Sequence, residues 1–468
     1  MRLPLLPVIL VLSLASAYSM PPVDSGPTHH SGQIDTNEVW LPSGNPHILD
    51  GDVWAGDSVT LTIMPGCTLR FAANAELYAG YARPGSIVAV GTADSVIAFT
   101  SSSTAPEPGD WWGVGIYGLA GNDTRFSYCD FSYAGADDNH GTIYVSEATV
   151  AISHCRISQS ADYGVKADGR AAFSLFADNT ITSCAKCPLS IMPECAGMLD
   201  SGNVLTGNAS DGILISGETV SRSATWLDHG VPYVISDDVA VEDATNAPVL
   251  TIAPGATIAF KRAVELYVGY NAPGGLVADG TAGQVTFTSS SLPPSRGDWY
   301  GVTFYRHSTS SQCRIINCKI EYAGSRYNGD IQVEDCVPTI EGCDIGYSSA
   351  YGIYLDGTQY PAPDTLRARN TFHDNDSGDI RVPGSGIEEP PSVGGLSRAH
   401  LPTIVEGMLK LGATDGWNAT RGAELVDVTG RSVLELTPGL NDVRHLSPGI
   451  YFVCGNSTER RSRIAVFR

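Results

Sequence analysis

A period of about 25 residues, in the range that stacked repeat architectures use, runs through most of this chain and constrains its fold more than any other feature. Cys129-x-Phe131, Cys155-x-Ile157, Asn179-x-Ile181 and Asn203-x-Leu205 succeed one another at nearly equal steps. Cys318-x-Ile320, Cys343-x-Ile345 and Asn370-x-Phe372 repeat the series later in the chain. Short apolar segments follow most of these anchors, alternating with period two and broken by glycine and asparagine, which excludes helices and predicts strands. A coil of this size cannot bury its apolar face alone. Copies must therefore stack, and the expected architecture is a solenoid of parallel strands about 4.8 Å apart. Ile157, Ile181 and Leu205 then lie above one another in the core, while the Cys and Asn anchors form columns at the turns, where asparagine suits tight backbone geometry. A β-propeller or a pair of sandwiches is the competing arrangement. It needs hairpins, and two-residue Asn-Gly signals are few.

A longer duplication encloses the short period. Leu61-Thr62-Ile63-Met64-Pro65-Gly66 returns further along the chain as Leu250-Thr251-Ile252-Ala253-Pro254-Gly255. Leu77-Tyr78 with Gly80-Tyr81 pairs with Leu266-Tyr267 and Gly269-Tyr270, and Gly109-Asp110-Trp111-Trp112-Gly113 pairs with Gly297-Asp298-Trp299-Tyr300-Gly301. Two tandem modules are expected, over residues 40–215 and 226–382.

Charge and the termini narrow the function. Fifty acidic side chains against 28 basic ones leave a net charge of −22, which excludes nucleic acid as a natural partner because a polyanion would be repelled. Hydrophobic residues at 43% exclude a wholly disordered chain. Arg2, the apolar run from Leu3 to Leu14 and Ala15-Ser16-Ala17 read as a secretory signal peptide over residues 1–17, ahead of an N-terminal segment over 18–39. The run is too short for a membrane anchor, and no later segment is apolar enough to span.

The anchors C/N-x-I, followed by G-I-x-apolar, resemble those of the right-handed parallel β-helix repeat proteins, the pectate-lyase-like superfold. The resemblance implies an all-β fold, and it leaves function open, since this architecture carries lyases, hydrolases, adhesins and proteins without known chemistry.

Residues 383–402, rich in proline and glycine, read as a linker. Beyond them the period is lost. Asp427-Val428-Thr429-Gly430-Arg431-Ser432-Val433, Leu446-Ser447-Pro448-Gly449-Ile450-Tyr451-Phe452-Val453 and Arg463-Ile464-Ala465-Val466 suggest a small antiparallel β-sandwich over 403–468. These three segments resemble the C-terminal sorting domain of cargo carried by the type IX secretion system of Gram-negative bacteria. That resemblance implies recognition by the secretion machinery, passage across the outer membrane, and release or surface attachment.

Candidate chemistry is sparse. Eleven cysteines in an exported chain invite disulfides, and Cys129 with Cys155 and Cys318 with Cys343 occupy equivalent places on successive coils. Stacked free thiols are the alternative there. Cys184-x-x-Cys187, followed by Cys195, resembles part of a zinc site but lacks a fourth ligand at a conventional spacing, so a local disulfide or buried thiols are expected and no metal. Asp137, Asp138 and His140 are the residues a polysaccharide-cleaving reading would choose, since paired carboxylates serve as acid, base or nucleophile at a glycosidic bond. They sit in one loop instead of on successive coils, and the second copy has Ser325-Arg326-Tyr327-Asn328-Gly329 in that place. A polar turn is the simpler reading. Trp112 and Tyr300 are candidate sugar-binding aromatics, each beside a ring, Trp111 or Trp299, expected to pack the coil. No cofactor is expected, and nothing supports calcium. The function expected is that of a secreted or outer-membrane-surface β-solenoid acting as a structural, adhesin or glycan-binding protein, with a polysaccharide as a further partner. The alternative is a polysaccharide lyase or glycoside hydrolase on the same fold.

Overall fold

Period-two patterning becomes three faces of stacked parallel strands in the computed structural model, which describes residues 26–136, 140–325 and 329–382, and in the tail the strands and short turns between 404 and 467. The chain divides into two compact units, residues 1–391 and 392–468. The first is a parallel β-solenoid of about 13 turns. On its first face Leu69, Phe99, Phe131, Ile157 and Ile181 stand in register on successive coils, and each is fully buried. Leu205 is buried on the next coil. On the second face an unbroken ladder leads from Glu76–Ala79 through Gly113–Ile116, Ile143–Ser146, Val165–Asp168 and Leu189–Ile191. The third face holds Val59–Ile63, Gly85–Val90, Arg125–Ser127, Thr149–Ser153 and Ala172–Ala177.

The anchors act between coils. Asn179 takes the Cys155 N–H on its side-chain oxygen at 3.0 Å and donates its amide to the Ile152 carbonyl, while the Asn203 oxygen receives both the Asn179 backbone and side-chain N–H groups. Asn370 holds Cys343 in the same way, and Asn208 holds Cys184. Asparagine is therefore selected for bridging one turn to the next. The left-handed conformation that the turn requires falls instead on the preceding residue, at Tyr128, His154, Asp178 and Asn317.

The two sequence copies form one continuous solenoid. Leu189–Ile191 pairs with Ile213–Ile215, which pairs with Tyr233–Ile235 and then Thr257–Phe260, all parallel. The joint is out of phase. By sequence, Thr257–Phe260 corresponds to Thr68–Phe71 of the first face, yet it continues the ladder of the second face. Glu265–Val268, the counterpart of Glu76–Ala79, accordingly falls on the next face round. The helix Pro193–Ala196 packs between Ala172–Ala177 and Glu218–Val220 where the phase changes. Tyr233 and Trp226, both buried, stack at 5.0 Å at this joint. The ladder also takes in Thr28–Ile34, ahead of residue 40, Glu218–Val220, between the expected modules, and Ala224–Trp226, which runs into the start of the second.

The tail is mostly antiparallel. Ala423–Asp427, Ser432–Leu436, Gly449–Cys454 and Arg461–Phe467 pair antiparallel, and Met408–Leu411 pairs antiparallel with Gly439–Asp442. Ile404–Glu406 departs from the expected all-antiparallel arrangement by adding parallel to Arg461–Phe467. Asp427 and Arg431 of the D-x-x-G-R segment clamp each other: the Arg431 N–H and guanidinium bond the two oxygens of Asp427, at 3.1 and 3.3 Å. The Tyr451 hydroxyl bonds the Ser447 carbonyl at 2.7 Å.

Candidate functional site

The Gly-Asp-Trp motif is structural in both copies. The Asp110 carboxylate receives Ser101 Oγ at 2.6 Å and the Glu107 N–H at 3.1 Å, pinning the loop between them, and Asp298 does the same for Ser289 and Ser295. Trp111 stacks on Phe71 at 3.8 Å and donates its indole N–H to Ser132; Trp299 stacks on Phe260 at 3.9 Å and donates to Glu321. The second ring of each pair faces outward. Trp112 is 38% exposed and Tyr300 is half-buried.

Trp112 borders an aromatic strip on the second face of copy one. Outward positions of its ladder carry Trp54, Tyr78, Gly115, Tyr144 and Lys166 on successive coils. Trp54 stacks on Tyr78 at 5.5 Å. Gly115 leaves room that the Tyr117 ring fills, and a β-carbon there would collide with that ring and with Glu76. Tyr117 meets Tyr78 and Tyr144 edge-on at 6.1 and 5.8 Å, and its hydroxyl donates to Glu76 at 3.0 Å. His140 stacks on Tyr144 at 4.2 Å, and the Tyr144 hydroxyl donates to Asp168 at 2.9 Å. Glu76, Trp112, His140 and Tyr144, with the backbone of Gly113 and Gly141, line a shallow open cleft.

Residues 32–162 match the family model described as pectate-lyase like beta helix domain, and residues 101–226 match that of the right handed beta helix region. Over residues 32–226 the chain is thus similar to pectate-lyase-like right-handed β-helix domains. No curated protein and no solved structure matches it. On this β-helix the carboxylates beside the strip hold tyrosine rings in place, so its chemistry is that of a rigid stacking platform with polar edges.

Of the residues chosen from sequence, His140 and Trp112 meet in this cleft, while Asp137 and Asp138 lie outside the described residues. Tyr300 takes the place of Trp112 in copy two. Cys129, Cys155, Cys184, Cys187, Cys318 and Cys343 are buried free thiols. Burial pushes Cys184 up to about 12 and Cys187 up to about 11, which keeps both as neutral thiols. Among the described residues no three His, Cys, Asp or Glu side chains gather to hold a metal ion, and no helix is long and apolar enough to cross a membrane. Tyr78, Tyr117, Tyr144 and Glu76 escaped the sequence reading. The available signal was the L-Y-x-G-Y duplication, which served there only to align the copies.

Proposed function

We propose that this is a secreted or cell-surface β-helix protein of a Gram-negative bacterium, exported by the type IX secretion system through its C-terminal sorting domain, that acts as a surface structural or adhesin protein by binding glycan. The observation that carries the binding role is the aromatic strip from Trp54 to Tyr144, whose rings sit on successive coils at a repeat of about 4.8 Å beside the Trp112 cleft. The exposed ring of Trp112 and the outward edges of Trp54, Tyr78 and Tyr144 offer an apolar surface against which sugar rings can pack. Lys166 pairs with Asp168 at 3.7 Å and leaves Glu76 as the acidic edge of the cleft, which favours an uncharged glycan over an acidic one as the ligand. Titration calorimetry against uncharged oligosaccharides tests this. Trp112→Ala and Tyr144→Ala each weaken binding about tenfold, on the order of 1.4 kcal/mol. Unchanged affinity in both variants removes the strip from the site.

A lyase or hydrolase is the second reading, on the observation that Glu76 and His140 line the same cleft. Product assays over neutral and acidic polysaccharides, with and without calcium, are expected to show no turnover. Cleavage that disappears in Glu76→Gln makes the protein an enzyme.

A further inference from the structure

We propose that the protein carries two equivalent glycan sites, one per sequence copy, built on tyrosine triads and set one face apart, so that one chain bridges two separate uncharged glycan chains. The inference rests on the glycan-binding reading above and adds a second site and a valency to it.

The triads are congruent. In copy one, Tyr78, Tyr81 and Tyr117 meet with centroid distances of 6.2, 6.1 and 5.0 Å, all edge-on. In copy two, Tyr267, Tyr270 and Tyr305 meet at 6.2, 6.1 and 4.8 Å, again edge-on. Core packing does not require them, since Tyr81 is 69% exposed and Tyr270 is 52% exposed. Neighbouring outward positions have diverged between the copies: Gly115 against Thr303, Tyr144 against Gln332 and Lys166 against Tyr354. Along this outward row only the triads have kept both identity and shape. Each is presented by the same turn, in which Gly80 and Gly269 take positive φ and approach the backbone of Ala120 and Ser308 too closely for any β-carbon.

Both sites are acidic at the edge. Burial, then Glu76 and Asp52, raises the Tyr78 hydroxyl above its ordinary value, and burial, then Glu242, Asp238 and Glu265, does so for Tyr267. Those carboxylates, standing beside the rings, disfavour an anionic sugar at both places. Because copy two joins out of phase, the Tyr267 triad lies on the next face round and about seven coils further on, roughly 34 Å at ~4.8 Å per coil. One straight oligosaccharide cannot run along both. Two chains can.

Native mass spectrometry with cellohexaose, xylohexaose and mannohexaose, and hexagalacturonate as the charged counterpart, counts the sites. The wild-type chain binds two equivalents of an uncharged hexasaccharide and clumps beads coated with it. Tyr81→Ala and Tyr270→Ala each weaken one site about tenfold and abolish clumping, the double variant loses both sites, and the Tyr→Phe versions, which keep the ring, behave as wild type. One equivalent on the wild-type chain, or clumping that survives Tyr270→Ala, overturns the two-site inference and leaves glycan binding standing. Failure of the wild-type chain to bind any uncharged sugar overturns both. Should the alanine variants melt early, the wild-type stoichiometry decides alone.

Discussion

Asp330 stands inside the solenoid with its carboxyl fully buried, one oxygen receiving the Ala323 N–H at 3.0 Å. Loss of hydration holds its proton affinity well above the usual carboxylate range. The folded chain thus binds this proton more tightly than the unfolded chain, so the contribution is complete below the ordinary Asp value of about 3.9 and is lost as pH rises toward the folded value. Asp330→Asn keeps the acceptor and removes the charge. Urea melts of both proteins are expected to show an advantage for the variant that widens with pH, by up to about 1.4 kcal/mol per unit; a constant gap would show that Asp330 is not titrating. His30 works in the other direction. Stacked on Trp40 at 3.9 Å and lying 3.1 Å from His47, it is held down to about 4 by burial and then by its histidine neighbours. Its unfolded form takes up a proton first, so the first coil loses stability as pH falls from about 6.5 toward the folded value. Hydrogen exchange at Thr28–Ile34 should quicken over that range, and His30→Gln should weaken the acid dependence, leaving the part that comes from His47, which burial also holds below its ordinary value.

The single coil is held by an apolar column and an asparagine bridge, and these fail by different amounts. Ile181→Ala leaves a cavity in a fully buried column and costs about 2–5 kcal/mol. Asn179→Ala strands the Cys155 N–H and the Ile152 carbonyl, which costs about 1–3 kcal/mol. Urea melts rank the two, and equal small losses would mean that neither column bears the coil. This level was the most legible from sequence, because Ile157 and Ile181 recur at the coil length itself and alternation assigns their side. The direction of the asparagine bonds was hidden, since one period fits an Asn that braces its own turn and an Asn that braces the next. The tyrosine strip was hidden for a related reason: Tyr78 and Tyr117 lie more than a full coil apart in the chain and meet only once the coils are stacked. Asp137, Asp138 and His140, close together in sequence, drew attention that proximity alone did not warrant.

For the whole molecule, the division into units over residues 1–391 and 392–468 predicts that removing residues 403–468 leaves the circular dichroism and melting of the solenoid unchanged while surface delivery is lost. Normal delivery of the truncated chain would end the sorting proposal, and loss of strand signal would make the tail part of the core. The continuity of the solenoid through residues 213–260 has a different bearing, on how such a molecule can grow. A parallel ladder matches peptide groups and is indifferent to which side chains they carry, so a duplicated block can be spliced on at any of three rotational settings with the same hydrogen bonds. Here the splice advanced by one setting. A further block added with the same advance would aim its tyrosines along the side still bare, so the number and bearing of ligands around the axis would be set by splice length, with no residue in any block having to change.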